Sequence, residues 1–246
     1  MTRISQGWVG TDVESRIAAH VHAWEKVKPL GDKRRLETYP FVAISREFGC
    51  EALPLAQQLV ITLNERCRPS IPWVPYDREL LDKVSEELHI HRSILDMLDG
   101  QRRDEMSELF DNIINRKVPD ALVVRKLAEL IRTLAVHGHS VLVGRGSSLV
   151  TQDLRNGMHI RLVAPHAWRV HTVADRRNLA IQEAEKMVDE GEKQRHQYLK
   201  TFFVLDPNFP FHHDLVIDNS RFNLMQIVEI IFAALSARFG ETLVSA

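Results

Sequence analysis

Apolar positions along the chain change period several times, and those changes mark out the elements. From Phe41 to Leu59 the sequence FVAISREFGCEALPLAQQL runs from an apolar β-rich stretch through a polar turn with one glycine into an apolar helical repeat. Ahead of it, Val13, Ile17, Val21, Trp24 and Val27 recur at helical intervals behind a Thr11/Glu14 capping-box spacing. This predicts a helix over 12–28, ended by Pro29 and Gly31. Residues 1–38 then form an amino-terminal helical arm, and residues 39–246 form the domain.

Beyond the central unit, a Pro-punctuated run delivers Tyr76, Asp77 and Arg78 to the mouth of another helix, with Asp77 placed as its N-cap. Helical periodicity returns over 91–100, 104–116 and 119–137, the last with Leu122, Leu127, Leu130, Ile131 and Leu134 as its apolar face. The second half alternates. Short buried-type strands are expected at 140–143, 158–163 and 215–217, and helices at 166–179, 181–190, 192–204 and 223–239. Residues 206–210, rich in breakers, form a loop. Alternation of this kind predicts a parallel sheet covered by helices on both faces, with right-handed crossovers. The strand at 41–45 is expected in its centre, beside those at 141 and 160.

Composition narrows the classes without choosing a function. Thirty-two basic residues against 33 acidic ones give no bulk charge for nucleic acid or a membrane surface, so any anion site must be local. Two cysteines are too few for a disulfide framework, and no leader pattern or 20-residue apolar span is present; a cytoplasmic protein is expected. Twelve histidines include the pairs 89/91, 137/139 and 212/213, none at zinc-binding spacing, so no metal site is expected from them. Trp24, Trp73 and Trp168 are too dispersed for a nucleic-acid stacking platform.

The chemistry centres on the loop after the first strand. Amides at such a strand–loop–helix junction can cradle an anion. A full phosphate loop, G-x-x-x-x-G-K-[ST], adds a lysine for the outer phosphates and a hydroxyl for magnesium. Here Gly49 is followed by Cys50, Glu51, Ala52, Leu53 and Pro54. No lysine or hydroxyl follows, Glu51 opposes an anion, and Pro54 has no N–H to offer. ATP affinity at least about tenfold below that of a full loop is therefore expected. Cys50, at the predicted helix start, is either a dipole-stabilised thiolate or a small loop residue.

SREFG, PWVPYDRELL, VLVGRGSSL, HIRLVAP and DLVIDNSR occur in this order. Over about 41–235 the chain thereby resembles the cytidylate kinase-like family. The resemblance implies a three-layer α/β, P-loop NTPase-like fold with a helical lid over about 166–205, and ATP with Mg2+ as cofactors. It implies phosphoryl transfer to a nucleoside monophosphate or similar small acceptor. A nucleotide-sensing or protein-binding descendant without catalysis is the other class. Only the first glycine of the family's GSGG loop is kept, at Gly49. Nucleotide contacts are assigned to Arg46, Gly49, Cys50, Arg78 and Arg145, the last in a Gly-Arg-Gly turn suited to a ligand. Asp77, Arg176 and Arg195 are the catalytic candidates, with Arg169 and Arg177 as further lid arginines that clamp phosphate or simply face solvent. No nucleic-acid or membrane partner is expected, and the arm packs on the domain or on a second copy in a homodimer.

Overall fold

Phe41, Val42, Ala43 and Ile44 are all fully buried in the computed structural model, as a strand covered on both faces must be. The structure describes residues 39–77, 81, 110, 114, 121–203 and 213–244. The amino-terminal arm, the helix expected over 91–100, all of that expected over 104–116 except Phe110 and Ile114, the 206–210 loop and Arg78 lie outside the described residues.

Among the described residues, eleven elements follow in chain order. They are β1 (Phe41–Arg46), α1 (Ala52–Cys67), β2 (Val74–Tyr76), α2 (Ala121–His137), β3 (Ser140–Val143), α3 (Ser147–Val150), β4 (Gly157–Val163), α4 (His166–Arg177), α5 (Ile181–Phe202), β5 (Leu215–Asp218) and α6 (Leu224–Val244). The five strands form one sheet in the order β2-β3-β1-β4-β5. Every pairing is parallel, with Val42 opposite Val141 and Met158, so β1 is central between the strands expected beside it. An all-parallel sheet needs a crossover at each connection, which places helices on both faces.

Successive β1 side chains point to opposite faces, and the core divides accordingly. Val42 and Ile44 pack with Leu55, Leu59 and Leu63 of α1 and Ile227, Ile231 and Leu235 of α6. Phe41 and Ala43 pack with Leu127, Ile131 and Leu134 of α2. Leu122 is 65% exposed, so it does not belong to the buried face of α2; Val124, in helical phase with Leu127 and Ile131, does. Helix α6 continues past the expected end at Phe239, through a kink there, because Leu243 still reaches the core.

A further difference concerns residues 181–202, expected as two helices separated near Gly191. They form one helix, α5, and Gly191 is helical. A Cβ built at Gly191 would lie 2.3 Å from the Phe48 ring, so this glycine permits a close approach and does not end a helix. Helices α4 and α5 make a hairpin in the lid's expected position. Val170, Val173, Ala184 and Val188 form its own small core, and Phe48 packs against it. The hairpin is thereby fastened to the loop after β1.

Candidate functional site

Parallel strands all end on one edge, so the loops after β1, β3, β4 and β5 meet at the carboxyl edge of the sheet. After Arg46 the chain turns through Glu47–Cys50, with the Cys50 N–H donating to Glu47 O at 3.2 Å. Gly49 has φ +96°, and its α-carbon lies against Arg169: a Cβ there would be 2.8 Å from Arg169 Cβ. The glycine is required by backbone sign and by space.

Several of the loop's N–H groups, those of Phe48, Glu51 and Ala52 among them, are taken by the protein's own acceptors. Phe48 N–H donates to Glu192 Oε2 at 2.8 Å, and Glu51 N–H donates to Asn219 Oδ1 at 2.9 Å. The Ala52 N–H turns back to Cys50 O at 3.0 Å. A carboxylate on α5 and an amide after β5 thus fill hydrogen-bonding positions that a phosphate loop offers to its ligand.

Charges around the loop are paired as well. Glu47 Oε2 accepts from Ala164 N–H at 3.0 Å and lies 3.5 Å from Arg169 Nε. Arg169, 9% exposed, donates to Ala164 O at 3.1 Å and to Phe48 O at 3.1 Å. It does not lie on a solvated face, but ties α4 to the loop. Glu51 pairs with Arg176, and Glu192 accepts from Arg195 Nε at 2.9 Å and Nη2 at 2.6 Å. Burial pushes the Glu192 carboxyl up, but the hydrogen bonds from Arg195 and the Phe48 amide outweigh it and hold it below the usual range.

Arg46, Gly49, Cys50, Arg176 and Arg195 are therefore grouped on or against this loop. Arg46 also reaches across to β3, where a Cβ on Gly144 would lie 2.1 Å from Arg46 Nη1. Gly144, Arg145 and Gly146 all have positive φ, an unusual conformation for the arginine, whose guanidinium stands 5.5 Å from the centre of the Tyr198 ring on α5. Asp77 follows β2, separated from β1 by β3, and its carbonyl accepts from Leu81 N–H at 3.0 Å, as at a helix start. Arg177 is exposed. Arg78 lies outside the described residues. The thiolate alternative for Cys50 is overturned: burial, then the charge of Glu47, pushes its thiol up to about 12.

Sequence reading missed four participants. Glu192 and Asn219 lie 144 and 168 residues from their loop partners, a separation that no local pattern reveals. Arg161 and His213 were also overlooked. Arg161 interrupts the apolar run of β4, ahead of Leu162 and Val163, and His213 contacts Ser45, with 2.8 Å between His213 Nε2 and Ser45 Oγ. Burial, then the charge of Arg161, lowers the His213 imidazole to about 4.

These residues do not fit a magnesium–triphosphate group held on the loop. Ala52 is in the core at 3% exposed, Leu53 is apolar, and the Phe48 and Glu51 amides already have acceptors. Among the described residues, no cluster of three or more His, Cys, Asp or Glu could hold a metal ion, and no helix is long and apolar enough to cross a membrane.

A five-stranded parallel sheet in this order, with a loop-to-helix corner and an arginine-bearing hairpin, defines a layered α/β protein. The family model described as "Cytidylate kinase-like family" matches residues 41–221, and the chain belongs to that family. No curated protein matches it. Among solved structures, an uncharacterized protein from Eubacterium ventriosum is similar at 21% identity and a TM-score of 0.59, over 81% of this chain and 99% of that one. Shikimate kinase from Bacteroides thetaiotaomicron aligns with 80% of this chain and 98% of its own at 13% identity, with a TM-score of 0.44.

Proposed function

We propose that this protein binds a small phosphorylated molecule, a nucleoside monophosphate being the class its family suggests, through arginines at the carboxyl edge of the sheet. ATP-dependent phosphoryl transfer is strongly attenuated in this reading. The observation that carries it is the placement of Glu192 and Asn219 on the loop amides. A triphosphate would have to displace a carboxylate that is itself held by Arg195. It would find no lysine to offset its charge. Arginine, by contrast, is abundant at this edge, and its planar fork suits a phosphate monoester.

Calorimetric titration with CMP, other nucleoside monophosphates and ATP, each with and without magnesium, tests the reading. CMP or another monophosphate is expected to bind, and ATP to bind at least about tenfold more weakly than in an otherwise equal site with a full loop. No CDP is expected above the uncatalysed background. Low-micromolar binding of magnesium-ATP together with CDP formation would establish a nucleotide kinase. That second reading has its own support: Arg176 and Arg195, on the hairpin, already stand against the loop, where arginines stabilise a transferring phosphoryl group. If no nucleotide binds in any form, the protein-binding class replaces both.

A further inference from the structure

Arg161 differs from the other arginines around the loop. It is in register with Ser45 of β1 and Val216 of β5, so these side chains stand on one face of the sheet. Its guanidinium carries five N–H donors, yet among the described residues it makes no hydrogen bond; its nearest carboxylate oxygen, Glu47 Oε1, is 3.9 Å away. The side chain is 24% exposed, so water reaches only part of it.

The surroundings make this under-paired cation more conspicuous. Burial, then the positive charge of Arg195, opposes the charge on Arg161. Arg195 has turned its Nε and Nη2 to Glu192, and Glu47 is shared between Arg169 and the Ala164 amide. Three guanidinium groups, Arg161, Arg169 and Arg195, thus share two carboxylates, Glu47 and Glu192. The excess is one positive charge. Beside it, on the same sheet face, lies the hydrogen-bonded pair Ser45 and His213. Partly buried charged donors are ordinarily satisfied in a folded protein, and here the acceptor is not supplied by the described chain.

We propose that Arg161 is the phosphate-receiving arginine of this protein, binding the phosphate monoester of a small ligand in the space bordered by Arg195, Ser45 and His213. This rests on the nucleoside-monophosphate reading above and specifies the residue that takes the phosphate. The bidentate geometry of guanidinium toward phosphate makes arginine, and not merely a positive charge, the requirement. The loop after β1 is then a closed wall beside the ligand.

The test compares wild type with Arg161→Ala, Arg161→Gln and Arg161→Lys, using CMP and inorganic phosphate as probes in calorimetry. Arg161→Ala and Arg161→Gln are expected to lose on the order of 10- to 100-fold in affinity for both, and Arg161→Lys to fall between them and wild type. Arg238→Ala, which breaks an exposed pair with Asp214, is expected to leave both affinities unchanged. Wild-type CMP binding that survives Arg161→Ala would overturn this proposal and leave the monophosphate reading standing. Phosphate binding that depends on Arg161, with no CMP bound, would uphold the anion site and overturn that reading. Binding of neither probe by wild type would overturn both. If both neutral variants fail to fold by circular dichroism, Arg161 is a structural group and the proposal falls.

Discussion

The corner after β1 and the end of β4 share one edge of one sheet, yet they treat charge in opposite ways. At the corner, Glu51 meets Arg176, Glu192 meets Arg195, and the amides of Phe48 and Glu51 have side-chain acceptors. Near the end of β4, Arg161 has no hydrogen bond to its guanidinium among the described residues, and its charge helps to lower the His213 imidazole. A phosphate-binding fold normally leaves the loop open and lets other groups close over it. Here the loop has been finished internally, and the polar deficit has moved across to the neighbouring strand.

Removing the group that finishes the corner should have the largest effect. Arg169→Ala leaves the carbonyls of Phe48 and Ala164 without this donor and deprives Glu47 of a nearby cation. A loss of about 3 kcal/mol of stability is expected from breaking a buried charged pair, read from urea unfolding. A loss below about 1 kcal/mol would mean that Arg169 does not hold the corner together.

Freeing an amide should come next. Glu192→Ala is expected to tighten inorganic pyrophosphate binding about tenfold by exposing the Phe48 N–H and removing a competing charge. Asp189→Ala removes the same charge from the same helix, where it pairs with His166, and should change little. Glu51→Gly should raise ATP affinity further in the Glu192→Ala background than in wild type. Equal gains in both backgrounds would show that Glu192 does not obstruct the loop.

A third measurement reads the open side through His213. Its folded-state value, about 4, is below the ordinary 6.5, so the folded protein favours the neutral ring. The resulting stability is fully present above pH 6.5 and is lost as pH falls from 6.5 towards 4. His213→Gln should reduce the pH dependence of the unfolding midpoint over that window, the remainder coming from His139, which burial also lowers to about 4, and from His159, lowered by burial as well. Arg161→Ala should raise the His213 value, seen by NMR titration, without restoring 6.5, because burial is the larger cause. An unchanged value would separate the two residues. The smallest effect is expected from Arg176→Ala: this half-exposed partner of Glu51 should cost under about 1 kcal/mol, and less in high salt, by the same urea measurement.

Much of the fold was readable because it rests on periodicity. The apolar run at 41–44 and the alternation after residue 140 carry a parallel sheet with little ambiguity, and β1, β3 and β4 lie where those patterns put them. Leu122 was misplaced because an apolar residue near a helix start satisfies hydropathy without satisfying phase. Gly191 was read as a break because composition cannot distinguish a glycine that ends a helix from one that admits a ring. For the site, the missing lysine was legible from loop chemistry, and Arg46, Arg176 and Arg195 were candidates from the family pattern, but their grouping around Gly49 was not readable. Nor were the internal acceptors, since hydrogen bonds such as Phe48 to Glu192 join residues whose proximity exists only after the hairpin has folded. Arg169 looked like any helix arginine for the same reason.

The contact between Phe48 and Gly191 also bears on how relatives of this chain can vary. With the Phe48 ring 2.3 Å from a Cβ built on Gly191, any side chain at 191 demands a smaller residue at 48 or a hairpin set farther away. The two positions should therefore change together across descendants, bulk being exchanged from one to the other. A chain that gained a side chain at 191 while keeping the phenylalanine would have to stand its hairpin off the loop. Such a pair of residues, read in other sequences, would distinguish members with a docked hairpin from members with a raised one.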